Sequence, residues 1–136
     1  AADAMWIMSS SFGPHTAQQW LELSRHMVRT LPDGGLAMHY DPAIAQAFKA
    51  MTPEVSAASA MQLWQLYDRI HARTLLLRGA QSDLLSPETA QAMVHRGPMA
   101  KLVEFEGVGH APTLMAQDQV QVVSEFLLAP EATVAA

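Results

Sequence analysis

The chain has 136 residues, 50% apolar and only 15% charged, with a formal net charge of −5 and no cysteine. That length suits one domain with a real core. The acidic balance, without any Lys/Arg cluster, argues against nucleic acid, and no apolar run is long enough to cross a bilayer. Without cysteine there is neither a disulfide framework nor a thiolate metal site, which fits a reducing cytoplasm. So low a share of charge points to apolar surface that packs on something else.

In chain order, the apolar opening from Ala1 to Ser11 predicts a short helix ended by Gly13-Pro14. Thr16 is a good N-cap, and Trp20, Leu21, Leu23, Met27 and Val28 recur at helical spacing, so a helix is expected from Ala17 to Thr30. Leu31-Pro-Asp-Gly-Gly35 breaks it, and Leu36–Tyr40 reads as a short extended or irregular piece. Asp41-Pro42 is a cap followed by proline at a first helical position, with the helix continuing through Ala43–Met51. Thr52-Pro-Glu54 is a second start signal, and Ser59 or Ala60 to Ile70 carries another helical pattern. The first 70 residues are therefore expected to be short helices rich in Met and Trp.

From Arg73 the pattern changes. Thr74–Leu77 is an apolar run without alternation, as in a buried parallel strand. Ser86 caps a helix with Pro87 at its first position and Glu88 in its first turn; it reaches about His95 and stops at Gly97-Pro98. Lys101–Phe105 is a second strand, and Gln117–Leu128 is a closing helix with Val120, Val123, Phe126 and Leu127 on one face. Strand, helix and strand predict a parallel βαβ unit in an α/β chain. Residues 129–136 read as a frayed tail.

Each strand ends in a glycine-bearing loop. The first is Gly79-Ala-Gln-Ser-Asp83 and the second Gly107-Val-Gly-His110, the acid preceding the histidine by 27 positions. The carboxyl edge of a parallel sheet is where ligands bind in open α/β folds. The ordered pair of loops resembles the last two strand-loop motifs of the α/β-hydrolase fold family, most closely from about Leu75 to Leu128. Asp33-Gly-Gly-Leu-Ala-Met-His-Tyr-Asp-Pro-Ala-Ile-Ala45 resembles the cap region of some members. The resemblance implies a partial α/β-hydrolase fold. Residues 1–70 are a mostly helical, cap-like front, residues 71–129 the carboxyl-terminal βαβα part of the core, and residues 130–136 a tail. It also implies esterase-like chemistry on a small-molecule ester, with Asp83 as triad acid and His110 as general base and then acid.

The chain departs from the family in two respects. The nucleophile turn Gly-x-Ser-x-Gly is absent, as is any loop for the oxyanion. The expectation is thus a carboxyl-terminal part of a serine-type hydrolase, inactive alone, that associates with the missing amino-terminal part or with a second copy. A non-enzymatic binding or scaffold module on the same fold is the competing reading, and a dehalogenase-like relative with an aspartate nucleophile is a third.

Each candidate has a plainer explanation. Asp83 would cap its own turn, and a lone histidine is more often structural. Asp41 is the runner-up acid, but helix capping accounts for it fully. His15, His26, His39, His71 and His95 form no metal-binding spacing, so neither metal nor cofactor is expected. Trp6, Trp20, Trp64, Met5, Met8 and Met27 could line an acyl pocket or simply fill a core.

Overall fold

A computed structural model describes residues 10–49 and 52–130. The helix expected over Ala1–Ser11 falls mainly outside those residues, as do Met5, Trp6, Met8, Met51 and the end of the tail; what is described of the first element is a 3-10 turn at Ser10–Phe12. Thr16 caps helix α1, Ala17–Met27, through a capping box in which its side chain accepts from the Gln19 backbone and Gln19 reaches back to the Thr16 N–H.

Helix α1 stops three residues short of the expected Thr30. Val28–Thr30 is instead strand β1, antiparallel to β2, Leu36–Met38. Leu31 precedes a proline, which disfavours helical backbone there. Val28 and Thr30 are β-branched and suit a pleated surface. The turn between the strands is closed by Leu31 N–H to Gly35 O at 2.8 Å and by Asp33 Oδ1 accepting from Gly35 at 2.9 Å. The front is therefore helices plus one hairpin.

Asp41 caps a turn, accepting from Ala43 N–H at 2.8 Å, before the short helix α2, Ile44–Lys49. Helix α3 is longer than expected, running unbroken from Pro53 to Tyr67 with Thr52 as its cap. The segment Val55–Ser59 carries no Gly or Pro to interrupt a helix once the cap has started it. None of α3's residues is buried, and Met61, Leu63 and Leu66 are each at least 60% exposed. So large an uncovered apolar face agrees with the low charge content of the chain.

Strands β3, Leu75–Gly79, and β4, Lys101–Phe105, lie side by side and parallel, in register from Leu75 opposite Lys101 to Gly79 opposite Phe105. Helix α4, Pro87–Val94, connects them, capped by Ser86. Helix α5, Gln117–Leu128, closes the chain. Its last carbonyls accept from Arg73, at 2.8 Å for Phe126 and 3.0 Å for Ala129, where a cation also suits the helix dipole. The small core consists of Trp20, Ala90, Ala100, Phe105 and Val108. Among the described residues no helix is long and apolar enough to cross a membrane.

The end of α3 is tied to the end of α4. Arg96 makes a forked ion pair with Asp68, its Nε donating to Oδ1 at 2.7 Å, and its guanidinium lies over the Trp64 ring. Tyr67 Oη donates to Met93 O at 2.9 Å. The Arg96 hydrogen bond holds the Asp68 carboxyl below its ordinary 3.8. Glu54 and Glu88 lie below their ordinary 4.5, each chiefly through its own backbone N–H and then its cap hydroxyl, Thr52 or Ser86. Carboxyls depressed by folding stabilise the fold above their ordinary values and lose that contribution as pH falls through the depressed ones. The thermal midpoint should therefore hold from neutral pH down to the ordinary carboxyl range and fall below it. Asp68→Asn should flatten that fall, measured by circular dichroism melts across pH.

Candidate functional site

Two glycine contacts bring the loops together. The acid loop leaves β3 at Gly79, where an added Cβ would stand 1.9 Å from Gly109 O. The histidine loop leaves β4 through Gly107 and Gly109, and a Cβ on Gly109 would stand 2.4 Å from Ser11 O. Backbone thus touches backbone at both points, with no room for a side chain. Hydrogen bonds stitch the same seam, from Ala80 N–H to Phe105 O at 2.9 Å and from Gln81 N–H to Val108 O at 3.0 Å.

The result is a direct contact between the two side chains singled out in the sequence. His110 Nδ1 lies 3.2 Å from Asp83 Oδ1. A carboxylate only accepts, so the proton on this bond belongs to Nδ1 and the lone pair of the neutral ring is at Nε2. Both groups reach solvent, His110 with 38% and Asp83 with 78% of its side chain exposed. Screening by water keeps such a pair weak as a source of stability. Asp41 takes no part: it caps its own turn and makes no hydrogen bond to His110. Among the described residues no group of three or more His, Asp and Glu side chains is placed to hold a metal ion.

Residues not foreseen from the sequence build the walls. Phe12 meets the His110 ring edge-on, with centroids 5.8 Å apart. Gly109 N–H donates to Ser11 O at 2.5 Å. His15 holds Gly13 O through Nδ1 at 2.8 Å and Thr113 Oγ1 through Nε2 at 2.7 Å, and its ring packs on buried Trp20 at 4.8 Å. Gln19 donates to Met115 O at 3.1 Å. The segment from Ser11 to Trp20 therefore braces the loop that carries His110. Local spacing marks its helix and Trp20 but not these contacts, which join residues 96 to 98 positions apart.

Below the acid loop, Arg78 is buried, with 4% of its surface exposed. Its Nε donates to Leu85 O at 2.7 Å and its Nη1 to Glu104 Oε1 at 2.5 Å, Glu104 being its register partner on β4. A lone charge in an apolar strand, one residue before the loop glycine, was the available sign of it.

No family model matches the chain. A curated relative, the 3-hydroxybutyrate-oligomer hydrolase of Cupriavidus necator, is 42% identical over 122 residues, 88% of this chain. An α/β hydrolase from Novosphingobium aromaticivorans superposes with a TM-score of 0.72 at 34% identity over 93% of this chain. A Rickettsia typhi protein assigned provisionally as a hydrolase superposes at 0.75 with 25% identity, again over 93%. The chain spans 42% of the length of the curated relative and 44% and 41% of the two solved chains. The parallel strand-helix-strand unit, its two abutting loops and these likenesses agree, and the chain has a partial α/β-hydrolase fold.

Proposed function

We propose that the chain is the acid-and-histidine portion of a serine-type ester hydrolase, with its nucleophile and oxyanion donors in sequence outside these residues. The observation that carries this reading is the Asp83–His110 contact, made where two adjacent parallel strands end. Asp83 accepts the Nδ1–H, which leaves Nε2 to take the proton of a serine as it attacks the ester carbonyl. The carboxylate then steadies the imidazolium, and Nε2 returns the proton to the departing alkoxide. The relative acts on oligomers of a hydroxy acid. A short hydroxyacyl ester, whose leaving group is the hydroxyl of the next unit, is the substrate class that this supports.

Residues 1–70 serve as the cap in this reading. Support comes from the Ser11–Trp20 segment, which lies against the His110 loop at the open edge of the strands. The uncovered face of α3 and the two-stranded sheet are where the missing amino-terminal part would pack. Acyl transfer needs both a nucleophile and donors to the oxyanion. The 136-residue chain by itself should neither turn over esters nor label with a serine-directed phosphonate. Steady labelling of one serine, abolished by His110→Ala, would mean that the chain holds its own nucleophile and would sink the proposal.

A further inference from the structure

We infer that Arg78 is a positioning residue for the Asp83–His110 pair, holding the acid loop at the angle that lets Asp83 meet the ring. The inference rests on the pair acting as proposed above. Arg78 reaches the loop from beneath. Its Nε donates at 2.7 Å to the carbonyl of Leu85, two residues past Asp83, while Nη1 is anchored at 2.5 Å on Glu104. Leu85 is held at its other backbone group as well, its N–H donating to Ser82 Oγ at 3.0 Å, and Ser82 N–H donates to Gly79 O at 3.0 Å. Residues 82 and 85 are thereby fixed on either side of Asp83.

Asp83 itself has 78% of its side chain exposed, and among the described residues its carboxylate hydrogen-bonds to His110 alone. Its pose is therefore set by its backbone, and that backbone is set by Arg78 and Ser82. A buried guanidinium is costly, and replacing one with an apolar chain of similar volume is often neutral or stabilising. An arginine at this point of an apolar strand makes sense if its rigid fork is needed to span from Glu104 to the loop carbonyl. A lysine offers one compact charge and cannot hold both partners in the same way.

The test reads the His110 tautomer in the ¹⁵N-labelled 136-residue chain, by long-range proton–nitrogen correlation of the ring in alkaline buffer. An acceptor at Nδ1–H selects that tautomer. Asp83→Ala should shift the ring toward the Nε2–H form. An unshifted ring in Asp83→Ala would refute the pair itself, separately from Arg78. Arg78→Met should carry the ring most of the way to the Asp83→Ala value while the backbone amide spectrum stays dispersed, and Arg78→Lys should fall between Arg78→Met and the parent. General loss of stability does not alter the tautomer of the molecules that remain folded. Ser82→Ala leaves the strand alone and frees the N–H of the same residue, Leu85, so it must shift the ring in the same direction. A parent-like tautomer in folded Arg78→Met, or in Ser82→Ala, overturns the role of Arg78.

Discussion

Gly79→Ala is expected to cost the chain about 3 kcal/mol of folding stability or more. The new Cβ would lie 1.9 Å from Gly109 O and 2.3 Å from Val108 O, both of them backbone atoms. A flexible side chain would swing aside, but a backbone carbonyl moves only with its loop. That loop is itself fixed by Gly109 N–H to Ser11 O at 2.5 Å. The substitution therefore has to break the seam between the strand ends, and with it the contact of Asp83 with His110. Gly107→Ala is the control in the same loop. Its Cβ would meet nothing within 4 Å, but the residue sits at φ +73°. The cost there is backbone strain alone, about 1 to 2 kcal/mol. Urea unfolding of the two variants against the parent measures the difference. Equal losses would mean that close approach at Gly79 is relieved by a small shift and does not set the seam.

The parallel unit was legible because its signals are local and agree with one another. Strand β4 and helix α5 have the bounds that their apolar patterns predict, and Ser86 caps α4 as its Pro87 and Glu88 suggest. The front was less legible, for reasons of pairing. Val28–Thr30 continues the apolar spacing of α1, yet it becomes a strand because Leu36–Met38 comes back beside it. Helical spacing cannot register a partner ten residues away. Ser59 as a helix start failed differently: Thr52 had already nucleated the helix, and propagation past it is inexpensive. At the site, Asp83 and His110 stood out as chemistry-bearing residues at the ends of adjacent strands. Arg78 and His15 did not, because what they do depends on atoms they touch elsewhere in the chain, Leu85 and Glu104 for one and Thr113 for the other.

The proposed hydrolysis needs a nucleophile from outside this chain, and a chimera with the relative tests it. Placing this chain in the Cupriavidus necator hydrolase, in exchange for the 122-residue stretch it matches, should give an enzyme that hydrolyses 3-hydroxybutyrate oligomers. In that chimera His110→Ala should lower kcat/KM by about 10,000-fold or more, and Asp83→Asn by about 10,000-fold, with most of either loss in kcat. The split follows from the chemistry. A base and its orienting acid act on the proton in flight, so their loss raises the barrier without weakening ground-state binding. Asp83→Asn is informative because an amide still fits the loop, yet its NH2 can turn to the ring and favour the wrong tautomer. Asp41→Asn should change kcat/KM by less than about two-fold, since asparagine caps a turn as well as aspartate does. A collapse in Asp41→Asn with Asp83→Asn left active would move the acid to the other loop. A folded chimera that binds an oligomer analogue but never cleaves it would favour the non-enzymatic module, because the scaffold would then be intact around a pair that does no chemistry.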